Sequence, residues 1–166
     1  MGAVDRRSGR DPEFEAFVAG AAGRLLHVAV LLTAEPLSGA PAGASGGAPA
    51  GAPPGVSTAA PAARRILAGA LARTYARWER LRGDDPYDHT RQELCAAYAR
   101  TARRLPPGTG VLARLSPPER LVLVMRVYEG VAEEVTAAQL GLTPERVEAV
   151  CNRAVATMRA PAQEAA

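Results

Sequence analysis

Between Pro36 and Pro61 the chain is built almost entirely of Ala, Gly, Pro and Ser. Leu37 and Val56 are the only bulky apolar residues there, and no charge occurs from residue 36 to residue 63. Such a segment cannot bury enough apolar surface to offset the entropy of ordering it. It predicts a flexible, partly extended insertion over 36–61, longer than the connections usual inside a compact domain. Any core must therefore come from the residues on either side, and those carry a helical period.

Phe14, Phe17, Val18, Ala21, Leu25, Val28 and Leu32 recur at three- and four-residue steps. That stripe predicts a helix of about five turns behind a polar tail over 1–12. A second helix is expected from Ala62, with Leu67, Leu71, Tyr75 or Thr74, Trp78 and Leu81 on its buried face and Gly83 as its stop. A third is expected from Tyr87 to Arg104, with Asp84, Asp85 and Pro86 at its start. Pro106-Pro107-Gly108 ends it. Trp78 at this spacing reads as core and not as a platform for nucleobases.

The C-terminal quarter is the best punctuated. Ser116-Pro117-Pro118-Glu119 has the form of a capping box with Pro at the first helical position. The helix that follows is broken at Gly130. A short helix over Ala132–Leu140, a turn at Gly141 and a longer helix opened by Thr143-Pro144 complete the segment. Short helix, glycine turn and longer helix is the arrangement of a helix-turn-helix, whose second helix presents its first turns to a major groove about 12 Å wide.

Charge adds a direction. All 20 basic residues are Arg, because the sequence has no Lys, and the net charge is +3. Residues 64–104 hold ten of those Arg against five acids, so attraction for a polyanion belongs to the middle of the chain. No run of about 18 apolar residues predicts a membrane span, and no basic stretch leads into a long apolar one as in a signal peptide. Cys95 and Cys151 are too few for a disulfide framework and lack metal-ligand spacing. His27 and His89 are isolated, and no Ser/His/Asp arrangement or phosphate loop stands out. These features predict a cytoplasmic protein that is not an enzyme and needs no cofactor or metal.

Leu115-Ser116-Pro117-Pro118-Glu119-Arg120-Leu121 through Ala138-Gln139-Leu140-Gly141-Leu142-Thr143 to Met158-Arg159 resembles the C-terminal domain of extracytoplasmic-function sigma factors. Phe14-Glu15-Ala16-Phe17-Val18 through Thr33 resembles the start of their N-terminal domain. Ala70-Leu71-Ala72-Arg73-Thr74-Tyr75-Ala76-Arg77-Trp78 is similar to its central helix in an actinobacterial branch. The resemblance implies an all-α protein of two small helical domains. A sigma region 2-like bundle would occupy 13–104, with the insertion inside it. A short linker, 105–114, would lead to a region 4-like helix-turn-helix at 115–160, followed by a tail at 161–166.

In that family the N-terminal domain binds the RNA polymerase core and melts the −10 element, while the helix-turn-helix reads the −35 element. The resemblance thus implies polymerase contacts by Arg73 and Arg77. It implies promoter DNA contacts by Arg100, Arg103 and Arg104 and, around the recognition helix, by Thr143, Arg146, Asn152 and Arg153. Arg64-Arg65 and Glu148 stand where the family usually carries the opposite charge. They keep open an alternative: a sigma-like interaction module acting through a protein partner such as an anti-sigma factor.

Overall fold

The computed structural model describes residues 3–36 and 59–160, with side chains from Asp11 onward. Most of the expected insertion (37–58) and the expected tail at 161–166 lie outside the described residues. Every regular element among the described residues is helical: α1 (Ala3–Thr33), α2 (Pro61–Arg77), α3 (Pro86–Thr101), α4 (Pro117–Leu123), α5 (Glu133–Leu140) and α6 (Pro144–Arg159). Helix α1 begins at Ala3, inside the stretch expected to be a tail.

Local chemistry accounts for most of the boundaries. Asp85 caps α3 by accepting a hydrogen bond from the Tyr87 amide at 2.8 Å. Glu119 reaches back to the Ser116 amide at 2.9 Å and accepts from its hydroxyl at 2.6 Å, so the capping box opens α4. Helix α4 loosens into a π turn over Val124–Tyr128, and Gly130 turns the chain with φ +68. Ala60, before α2, has no side-chain cap to offer. The Glu35 carboxylate supplies it across the base of the insertion, accepting from the amides of Ala62 (3.1 Å) and Ala63 (2.8 Å).

Leu25, Val28 and Leu32 of α1 are fully buried. Each contributes about 1.5–3 kcal/mol by leaving water. Asp11–Thr33 is long and apolar enough to cross a membrane by length and composition, with a mean hydropathy of 1.7, although it holds no unbroken run of about 18 apolar residues. Its inner stripe instead packs as a core helix. The buried face of α2 is Ala62, Ala63, Ile66, Leu67, Ala70 and Thr74. Leu67 and Thr74 of the expected face are among them, whereas Leu71, Tyr75, Trp78 and Leu81 are only half-buried. The reason is local. Tyr75 and Trp78 turn toward the start of α1, where their rings meet Phe14 at 5.0 and 5.2 Å, and Trp78 meets Phe17 at 5.4 Å. The small residues of α2 are left to meet α3 closely, around Thr74 and Thr90 with hydroxyls 2.9 Å apart.

The two expected units share most of their core. One continuous apolar cluster joins Leu25, Leu67, Leu94 and Tyr98 to Leu112, Leu115, Leu121, Val124, Met125 and Val131. A smaller cluster of Val122, Ala137, Val147 and Val150 lies within the C-terminal helices. The stretch expected as a linker, 105–114, is packed down and is not a free tether. The Gly110 amide donates to the Ala34 carbonyl at 2.6 Å. A Cβ on Gly110 would stand 2.6 Å from the Glu35 carbonyl oxygen, so only glycine permits this approach. Arg120 completes the seam, donating to the Leu32 carbonyl at 3.1 Å.

Candidate nucleic-acid interface

Helix α5 carries Glu133 and Glu134 in its first turn, near the positive helix end. It stops at Gly141, which takes the left-handed conformation at φ 65, ψ 34. The Leu142 amide then returns to the Ala137 carbonyl at 2.9 Å, satisfying one of the orphan carbonyls of the last turn. Thr143 follows as the N-cap of α6, its hydroxyl accepting from the Arg146 amide at 3.3 Å. Val147, Val150 and Ala154 face inward and are buried. The opposite side of the helix presents Glu145, Arg146, Glu148, Ala149, Asn152 and Arg153 to solvent.

The residues expected around the recognition helix are on or next to α6 but not in one electrostatic state. Thr143 is a structural cap. Arg146 and Asn152 are exposed. Arg153 is tied down, its Nε donating to Glu119 Oε1 at 3.0 Å. Glu119 is held below the ordinary carboxylate range, first by its hydrogen bonds with Ser116 and then by Arg153. With Glu145 and Glu148 on the same exposed side, the outer face of α6 is close to neutral.

Arg100, Arg103 and Arg104 form a separate basic group, exposed on the last turn of α3 and the short 3₁₀ turn Ala102–Arg104 after it. Arg73 and Arg77 converge on one acid. Arg73 Nε reaches Glu93 Oε2 at 2.7 Å, and Arg77 reaches Glu93 Oε1 at 2.9 Å. The pair staples α2 to α3, and Glu93 carried no signal in the spacing of the chain.

A second buried electrostatic cluster was also unmarked in the sequence. Glu129, at the end of the π turn, has a side chain only 1% exposed. It accepts from Arg24 Nε at 3.1 Å, from Tyr87 Oη at 3.1 Å on each oxygen, and from Arg91 at 3.5 Å. Arg24 also stands over the Tyr87 ring, 5.3 Å from its centroid. The Glu129 carboxylate beside Arg24 holds that guanidinium above its ordinary value. Burial, then Glu129, push the Tyr87 phenol upward.

A cleft of about 500 Å³ runs between α3 and α5, with the Arg77–Glu93 pair, His89, Gln92 and Gln139 around Met125 and Leu140. Among the described residues no group of three His, Cys, Asp or Glu side chains stands close enough to hold a metal ion. Cys95 is buried and Cys151 half-buried, and both are free thiols. Comparison with protein-family models, curated proteins and solved structures finds no match to this chain.

Proposed function

We propose that this chain is a divergent sigma-factor-like transcription regulator of the cytoplasm. It recruits the RNA polymerase core to promoter DNA, and α6 reads the −35 element. The observation that carries the reading is the corner at Gly141. It leads into a capped helix whose inner edge is fully occupied by Val147, Val150 and Ala154, while Arg146, Ala149 and Asn152 remain open. A helix with its side chains is about 10–12 Å across and fits the major groove.

Arg146 suits a phosphate or the O6/N7 edge of guanine, and Asn152 suits adenine. Arg100, Arg103 and Arg104 supply phosphate contacts to the −10 region. Arg73 and Arg77 turn from Glu93 to the polymerase surface.

The test is run-off transcription with purified core enzyme on genomic promoter fragments. Transcription is expected with the wild-type chain. Arg146→Ala is expected to weaken fragment binding and to lower the salt slope by about 0.9, the loss of one phosphate contact. Failure to bind core, with DNA affinity no better than about 10⁻⁴–10⁻⁶ M at physiological salt, rejects the reading.

A second reading is favoured by the near-neutral face of α6, where Glu145 and Glu148 flank Arg146 and Glu119 holds Arg153. On it the same scaffold binds a protein partner such as an anti-sigma factor and not DNA. Capture of such a partner, without capture of core polymerase, selects it.

A further inference from the structure

The cleft between α3 and α5 holds more hydrogen-bonding capacity than the fold uses. Met125 and Cys95, both buried, and the half-buried Leu140 make one side of it apolar. On α3 the small side chains of Ala96 and Ala99 leave it open, and about 500 Å³ remains. That volume lies within the range of small-molecule sites, which combine an apolar lining with a few placed polar groups. Here the polar groups are Arg77, His89, Gln92 and Gln139. His89 Nε2 is shut off from solvent and has no hydrogen-bond partner. Native folds rarely leave such an atom unpaired. The side-chain amides of Gln92 and Gln139 make no hydrogen bond to any described residue.

Charge narrows the class of ligand. Arg77 gives only its Nη1 to Glu93, at 2.9 Å, and its side chain is 53% exposed. Glu93 also takes Arg73 at 2.7 Å, so two guanidinium groups share one carboxylate and one positive charge is left over. A single surplus charge matches a monoanion better than a doubly charged phosphate. The free N–H donors of Arg77 form the planar fork that a carboxylate accepts from. Met125 supplies a polarizable sulfur of the kind that packs well at the edge of an aromatic ring.

We propose that this cleft is a binding site for a small aromatic carboxylic acid. The carboxylate meets Arg77, the ring lies over Met125 and Leu140 between Ala96 and Ala99, and ring substituents complete the hydrogen bonds of His89, Gln92 and Gln139. The site is independent of the transcription reading, because it uses no residue of α6 and needs no DNA.

The experiment is an NMR titration of the full ¹⁵N-labelled chain with two molecules of one shape, sodium 2-naphthoate and the uncharged 2-naphthamide. At the binding energy per atom usual for drug-sized ligands, a probe of about 13 non-hydrogen atoms binds near 1 mM. The expected result is saturable shifts of the Gln139 and Leu140 amide signals by naphthoate at about that concentration. Naphthamide should bind at least about five-fold more weakly, since it lacks the charge-assisted contact. Arg77→Gln should remove that difference between the two probes. Ala96→Leu combined with Ala99→Leu should weaken both at least about ten-fold by filling the cleft. Both alanines are exposed on α3 and leucine is a strong helix former, so that variant keeps its fold, which an unchanged circular-dichroism melt verifies. No saturable shift up to about 5 mM, well beyond the expected range, overturns the site. Shifts that survive the two leucines do so as well, since the probe then sits elsewhere. Equal affinity of the two probes for the wild-type chain overturns the assignment of an acid.

Discussion

Replacing Gly110 by Ala tests whether the 105–114 stretch is docked on α1 or merely passes it. The added Cβ would stand 2.6 Å from the Glu35 carbonyl oxygen and 2.9 Å from that of Ala34. Both are backbone atoms at the end of a helix, so neither can rotate away as a long side chain would. The relief available is a shift of the segment, which stretches the 2.6 Å hydrogen bond from Gly110 to Ala34. Forcing one methyl group into a packed site costs about 1–3 kcal/mol, and loss of the hydrogen bond adds about 1 kcal/mol. For a chain of this size each kcal/mol moves the melting temperature by about 2–4 °C. Gly110→Ala should therefore melt roughly 4–15 °C below wild type in a circular-dichroism scan. Gly20→Ala is the internal control. It lies within α1 with nothing inside 4 Å of the added carbon, and should gain about 0.5–1 kcal/mol from helix propensity. If Gly110→Ala melts with wild type while Gly20→Ala rises, the close approach to Ala34 does not exist in solution.

Two further predictions concern single side chains. Glu119 is held below the ordinary carboxylate value by Ser116 and Arg153. Its contribution is fully present above the unfolded-state value of about 4.3 and disappears as pH falls through its lower folded value. Glu119→Gln should flatten the acid limb of a stability-versus-pH curve, and an unaltered limb would disprove that link. Burial pushes the Cys95 thiol up to about 12, and Cys151 is raised less and lies half-exposed. Native alkylation should modify Cys151 well before Cys95, and equal rates would contradict the burial of Cys95.

Much of the local design was legible in the residues. Asp85, the Ser116–Glu119 box and Thr143 all act as caps, and Gly83, Gly130 and Gly141 all stand at positive φ where helices stop. These signals are readable because partner and cap lie within a few residues of one another. The face of α2 was legible at Leu67 and Thr74 but not in full, because Trp78 and Tyr75 look like core by size, while Ala63 and Ala70, which are fully buried, are too small to stand out. Glu93, Glu129 and the docking of Gly110 were invisible for a different reason. Their partners lie 16 to 105 residues away for the two acids, and helical periodicity holds no information on such pairings. In sequence, Glu129 before a glycine reads as a solvated helix end. The helix α6 and its acidic Glu148 were legible in the residues, whereas the Glu119–Arg153 pair was not, since it spans two helices.

The carboxylate of Glu35 has a consequence for engineering and for drift of the chain. By bonding Ala62 and Ala63 across the base of the insertion, it fixes the mouth through which any intervening polypeptide must leave and return. The helices beyond that mouth are then indifferent to how much chain it encloses. A flexible replacement of twice the length would cost only about 0.6 kcal/mol more to close. This makes the mouth the natural place to graft a reporter peptide or a second domain without disturbing the bundle.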